Sequence, residues 1–165
     1  MVQDPQTSDP ITAWSITKSA VLVPFDFSEA SRKALQVARS FVPDVGEPSG
    51  GTVAVLHVVT RPPMSAPGRL LRGRFDEERA IAQGFTHLRE ALADAGVPEF
   101  EAHVKVASEP AEAIVSFAQG EQTELIVISS HARTGFDRWL LGSTAERVVR
   151  LSPCPVLVLR GPSPQ

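Results

Sequence analysis

A chain of 165 residues, 42% hydrophobic and 21% charged, is the size of one ordinary domain with a core of its own. Its net charge of −3 and pI near 5.8 give no general attraction to nucleic acid or anionic lipid, and no run of like charge suggests a binding tail. No apolar leader follows Met1, no stretch could cross a membrane, and the single Cys154 has no internal disulfide partner, so the chain reads as cytoplasmic.

Residues 1–16, with Pro5 and Pro10 among polar neighbours, read as a mobile N-terminal tail. Residues 17–161 form the expected domain, and 162–165 a short C-terminal tail. Ser19 to Pro24 is a near-continuous apolar strand. Asp26-Phe27-Ser28 follows it, where a Ser or Asp can cap a helix with the face Ala30, Ala34, Leu35, Val37, Ala38 and Phe41. A Gly/Pro-rich stretch from Pro43 to Gly51 ends that helix. Thr52 to Val59 then reads as a second strand buried on both faces, as a parallel sheet requires.

Thr60 to Gly73 carries Pro62, Pro63, Pro67 and Gly68 and reads as a loop, with Arg61, Arg69, Arg72 and Arg74 in or beside it. A solvated loop and a lid over a ligand are both compatible with that composition. A long helix is expected from Phe75 to Ala95, stopped by Gly96 and Pro98. Glu101 to Ala107 alternates and reads as an edge or half-exposed strand. Pro110, at a first helical position, opens a helix to Gln119. Glu124 to Ser129 is the fourth strand, Ser143 to Leu151 the last helix and Pro155 to Arg160 the fifth strand. Strands alternating with helices and no internal repeat predict an α/β doubly wound parallel sheet with helices on both faces. Ligands of such sheets sit beyond the strand carboxyl ends, where the strand order reverses.

The segments Val21-Leu-Val-Pro-Phe-Asp-Phe-Ser28, Val55-Leu-His-Val-Val59, Glu109-Pro-Ala-Glu-Ala-Ile114, Ile128 to Arg147 and Ser152-Pro-Cys-Pro-Val-Leu-Val-Leu159 together closely resemble the universal stress protein family of the UspA type. The resemblance runs from about Lys18 to Arg160. It implies a five-stranded, flavodoxin-like (Rossmann-like) sheet of order 3-2-1-4-5, in a homodimer joined through the last strand, Pro155 to Arg160. It implies a non-enzymatic stress-response protein with a signalling partner that the sequence does not identify. One branch of the family binds ATP, with magnesium able to accompany it, through the pattern G-x2-G-x9-G-[S/T].

On this chain the pattern starts at Ser129, continues at Ala132 and closes with Gly142-Ser143, so two of its three glycines are replaced. If both replaced positions needed a left-handed backbone, each would cost about 1–2 kcal/mol, enough together to weaken binding roughly a hundredfold. If they keep negative φ, only local crowding remains. Gly142, Ser143 and Thr144 supply helix-start amides and hydroxyls suited to an anion. By resemblance, Asp26 contacts ribose or adenine, although an Asp there can equally cap the following helix. Val58 matches the position whose backbone recognises adenine, and Ile128 can line the cleft while packing at a strand end. His131 and Arg133 lie in the loop beside the expected phosphates. His57, inside a strand, reads as a structural histidine.

Two functions stay open at this point: adenine-nucleotide binding in that cleft, and a dimeric interaction module of the same family that binds no nucleotide. Phosphoryl transfer has weaker support, because no G-x4-G-K-[ST] loop and no paired carboxylates for magnesium are visible. Slow hydrolysis is left open.

Overall fold

The computed structural model describes residues 20–42, 45, 50–61, 75–130 and 142–160. The expected tails, the loop from Pro62 to Arg74, and His131, Ala132 and Arg133 lie outside these residues. The described elements run β1 (Ala20–Pro24), α1 (Glu29–Phe41), β2 (Thr52–Thr60), α2 (Glu77–Asp94), β3 (Glu101–Ala107), α3 (Pro110–Gly120), β4 (Leu125–Ser130), α4 (Ser143–Leu151) and β5 (Val156–Arg160). The five strands form one sheet of order β3-β2-β1-β4-β5, and every pairing is parallel.

Alternation along the strands builds two cores, one on each face of the sheet. Val21, Val23 and Phe25, with Val53, Val55 and Val127, pack against Ala34, Leu35 and Ala38 of α1 and Leu88 and Leu92 of α2. Leu22, Leu56, Ile126 and Ile128 point the other way, onto Ile114 and Phe117 of α3 and Ala145 and Val148 of α4. Leu22 and Val23, successive residues of β1, are both fully buried. Such a strand cannot lie at an edge, and β1 pairs with β2 on one side and β4 on the other. The chain therefore lays down β2 and β3 outward in one direction, returns, and lays down β4 and β5 in the other. The strand order reverses at β1.

Local chemistry sets the element ends. Ser28 caps α1, its Oγ accepting from the Ser31 amide at 3.1 Å, while buried Ser31 returns its own hydroxyl to the Ser28 carbonyl at 3.0 Å. Asp76 caps α2 by accepting from the Arg79 amide, so this helix starts two residues later than the sequence pattern alone places it. β2 extends through Thr60, where Arg61 continues the ladder by donating its amide to the Ala107 carbonyl at 2.9 Å. β3 is an edge strand, half-exposed along most of its length as its alternation predicts.

α2 ends at Gly96, which takes φ +71 just past the C-cap Ala95 while the Val97 amide reaches back to the Leu92 carbonyl. A Cβ at Gly96 would meet nothing within 4 Å, so the cost of a side chain there is conformational alone. Gly96→Ala should therefore destabilise the fold by about 1–2 kcal/mol, read as a lowered midpoint in urea with unchanged slope.

Candidate functional site

The carboxyl ends of the strands open into a cleft of about 340 Å³, near the lower end of the range of small-molecule sites. β1 leads into it through Pro24, Phe25 and Asp26. β2 contributes Leu56, His57, Val58 and Thr60, and β4 contributes Ile128 and Ser129. Pro110 and Ile114 of α3 and the run from Gly142 to Ala145 at the start of α4 complete the lining. The cleft thus spans the point between β1 and β4 where the strand order reverses, the position at which open α/β sheets bind ligands.

Of the candidate residues named from sequence, Asp26, Val58, Ile128, Ser129, Gly142, Ser143 and Thr144 meet in this cleft. Four separate segments bring them together, since β1, β2, β4 and α4 all end or begin there. Sequence reasoning did not assign Phe25, Thr60, Pro110 or Ile114 to the lining. Part of the signal was available: Phe25 directly follows β1, Thr60 ends β2 and Pro110 opens α3, and such ends share one side of a parallel sheet, whereas Ile114 lies in the second turn of α3.

Two positions of the glycine pattern, the replaced Ser129 and the retained Gly142, lie among the described residues. Ser129 is a strand residue, in register with Leu159 of β5, and left-handed φ among described non-glycine residues occurs only at Phe27 and Gln122. The Ser129 replacement therefore carries no left-handed penalty. Gly142 is the N-cap of α4 with φ −56 and ψ 143, a conformation open to any residue. What glycine supplies there is space, because a ligand can approach the backbone without meeting a Cβ. No side chain caps the helix, and Ser143, Thr144 and Ala145 of its first turn line the cleft.

The opposite wall is built on a turn. Asp26 accepts the Ser28 amide on Oδ1 at 3.1 Å, so it holds the turn while Ser28 performs the capping. Between them Phe27 sits at φ +65, a strained conformation for an aromatic residue. Its ring packs edge-on against Phe25, with centroids 5.2 Å apart, and against His57 at 4.6 Å. His57 Nδ1 lies 2.9 Å from the Phe25 carbonyl. A carbonyl only accepts, so the ring nitrogen donates, and neutral His57 is the Nδ1–H tautomer. His57 is thus both a satisfied strand histidine and part of the cleft wall.

Near the mouth, Arg147 of α4 joins the N-cap residue Glu109 of α3 at 2.9 Å and Glu112 at 2.5 Å. All three side chains are substantially exposed, so the pair of bridges contributes little net stability; it ties the middle of α4 to the start of α3. Cys154 lies away from the cleft lining. Partial burial raises its thiol above the ordinary value, with the Ser152 hydroxyl acting in the opposite direction, so it is not an activated nucleophile. Among the described residues, no group of three or more His, Cys, Asp or Glu could hold a metal ion, and no helix is long and apolar enough to cross a membrane.

Residues 19–160 match the Universal stress protein family. A universal stress protein of Thermus aquaticus is 30% identical over 142 residues, covering 85% of this chain and 97% of that protein. The solved structure of universal stress protein UspA from Lactobacillus plantarum is 26% identical with a TM-score of 0.60, covering 87% of this chain and 99% of that one. A universal stress protein from Archaeoglobus fulgidus, solved in complex with dAMP, shares the fold at 23% identity and a TM-score of 0.54, over 86% of this chain and 98% of that one.

The strain at Phe27 makes an ordinary ranking reverse. Alanine and glycine both remove the ring, but only glycine accepts the left-handed backbone without penalty. Phe27→Gly should therefore be more stable than Phe27→Ala by about 1 kcal/mol, seen as the higher midpoint in thermal unfolding.

Proposed function

This chain belongs to the universal stress protein family, and we propose that it is a cytoplasmic stress-response regulator that binds ATP or another adenine nucleotide in the cleft between β1 and β4. The observation that carries this reading is the open start of α4. Gly142 leaves room beside uncapped helix-start amides, with the Ser143 and Thr144 hydroxyls adjacent, and that combination suits a phosphate. Asp26, on the opposite wall, suits a ribose hydroxyl, and the backbone beside Val58 suits the edge of a base. Leu56, Ile114 and Ile128 supply an apolar floor for the base.

The negative φ of Ser129 supports the reading, because it removes one of the two penalties that the altered glycine pattern implied. The dAMP complex of the Archaeoglobus fulgidus protein supports an adenine nucleotide as the class of ligand. Where magnesium accompanies a triphosphate, it would supply charge neutralisation at the phosphates.

The proposed role is binding rather than turnover. Asp26 is the sole carboxylate and His57 the sole imidazole among the described lining residues, and His57 spends its Nδ1–H on the Phe25 carbonyl. We also propose that a second copy of the chain pairs at β5. This strand lies at the sheet edge with Val156, Leu157, Val158 and Leu159 only half-buried, and Val149 and Leu151 of the preceding helix are exposed.

Titration calorimetry with ATP and with AMP should detect binding, and Gly142→Val should weaken it at least about tenfold by filling the approach to the helix start. No binding heat at millimolar nucleotide would overturn the reading in favour of an interaction module with no nucleotide. For assembly, sedimentation should find a dimer that Leu151→Glu weakens without lowering the monomer's thermal midpoint. A wild-type monomer at every accessible concentration would rule the pairing out.

A further inference from the structure

We propose that His57 and Phe27 are positioning residues of the nucleotide cleft: together they brace the turn that carries Asp26, and they act on a ligand only through it. The proposal rests on the cleft reading above for its ligand, but not for its geometry. Four contacts converge on Phe25 and Phe27, the two residues that flank Asp26. The Phe25 amide donates to the Leu56 carbonyl at 2.9 Å, and the Phe25 carbonyl receives the Nδ1–H of His57, the very next residue of β2, also at 2.9 Å. Both backbone groups of Phe25 are therefore pinned to β2, one by main chain and one by side chain. That fixes the peptide plane entering Asp26.

On the far side of Asp26, the peptide is fixed by Phe27. A bulky residue keeps a left-handed backbone only when its surroundings over-determine it. Here the ring is held edge-on by Phe25 and by the same His57 that holds the Phe25 carbonyl. One imidazole thus secures the backbone before Asp26 through a hydrogen bond and the residue after it through ring packing. Asp26 itself is exposed. Its carboxylate is oriented by the turn, through the Ser28 amide on Oδ1. The turn is in turn oriented by His57 and Phe27.

This arrangement distinguishes positioning from general support of the fold. A group that acts through Asp26 should lose its effect on binding once the Asp26 carboxylate is gone, whereas a group that merely stabilises the domain should not. His57→Leu removes the donor and the aromatic edge. His57→Asn keeps an N–H able to reach the Phe25 carbonyl.

The test has two arms. Without nucleotide, amide hydrogen exchange by NMR should find the Ser28 amide exchanging about tenfold faster in His57→Leu, and in Phe27→Leu, while the Val23 amide in β1 keeps its protection. Unchanged exchange at Ser28 in a folded variant would overturn the proposal. With AMP as the probe, His57→Leu should lower affinity about tenfold in the otherwise native chain and less than about twofold in the Asp26→Ala background, with His57→Asn recovering most of the loss. Equal losses in both backgrounds, or no recovery with asparagine, would overturn it as well. Should the native chain bind neither AMP nor ATP, the cleft reading fails on its own, and the exchange arm decides the positioning roles.

Discussion

The constraint on which the rest of the structure depends is the burial of β1 on both faces. Val21 and Val23 fill the core beneath α1 and α2, and Leu22 fills the core beneath α3 and α4. A strand with that pattern gains most from burial when another strand covers each edge and helices cover each face, so β1 takes the centre of the sheet. Once it is central, parallel crossovers must extend the sheet first to one side and then to the other. The first turns of α1 and α4 then diverge on opposite faces just past the ends of β1 and β4. The cleft is the gap they leave. Its existence follows from the packing of three apolar residues that do not line it.

The walls of the cleft are made differently. On the α4 side, the backbone is relaxed and the design is one of omission: Gly142 adopts a conformation any residue could take, and no side chain caps the helix it opens. On the β1 side the design is one of constraint, with Phe27 held at positive φ by two aromatic contacts and Phe25 tied to β2 through both backbone groups. A site that leaves amides open for an anion needs room. A site that aims an exposed carboxylate needs rigidity, and the strained turn beside His57 supplies it at a local cost of about 1–3 kcal/mol.

The glycine pattern illustrates how far residue identity can be read without coordinates. Ser129 in place of glycine implies a penalty if that position requires a left-handed backbone, and sequence alone leaves the choice open. Its place in β4, in register with Leu159, removes that penalty. Strand pairing decides φ here, and strand pairing is a property of two segments separated along the chain. The same reason explains why Pro110 and Ile114 were not assigned to the cleft: they belong to the α3 segment, and only the crossover places that helix over the ends of β2 and β4.

By itself the sequence determined the element order, the parallel sheet and the family. Those follow from periodicity and from short segments whose identity is local, as in the apolar run of β1 or the Ser28 cap. Asp26, Gly142 and Ser143 were legible as candidates through the family resemblance, and the structure brings them to one cleft. Only the tertiary structure decided that His57 serves two neighbours at once, that Phe27 rather than a glycine carries the left-handed turn under strain, and that Arg147 ties α4 to the start of α3. Each of those depends on the relative placement of elements far apart in sequence. Local propensity carries no record of such distances, which are set by how two cores pack against the two faces of one sheet.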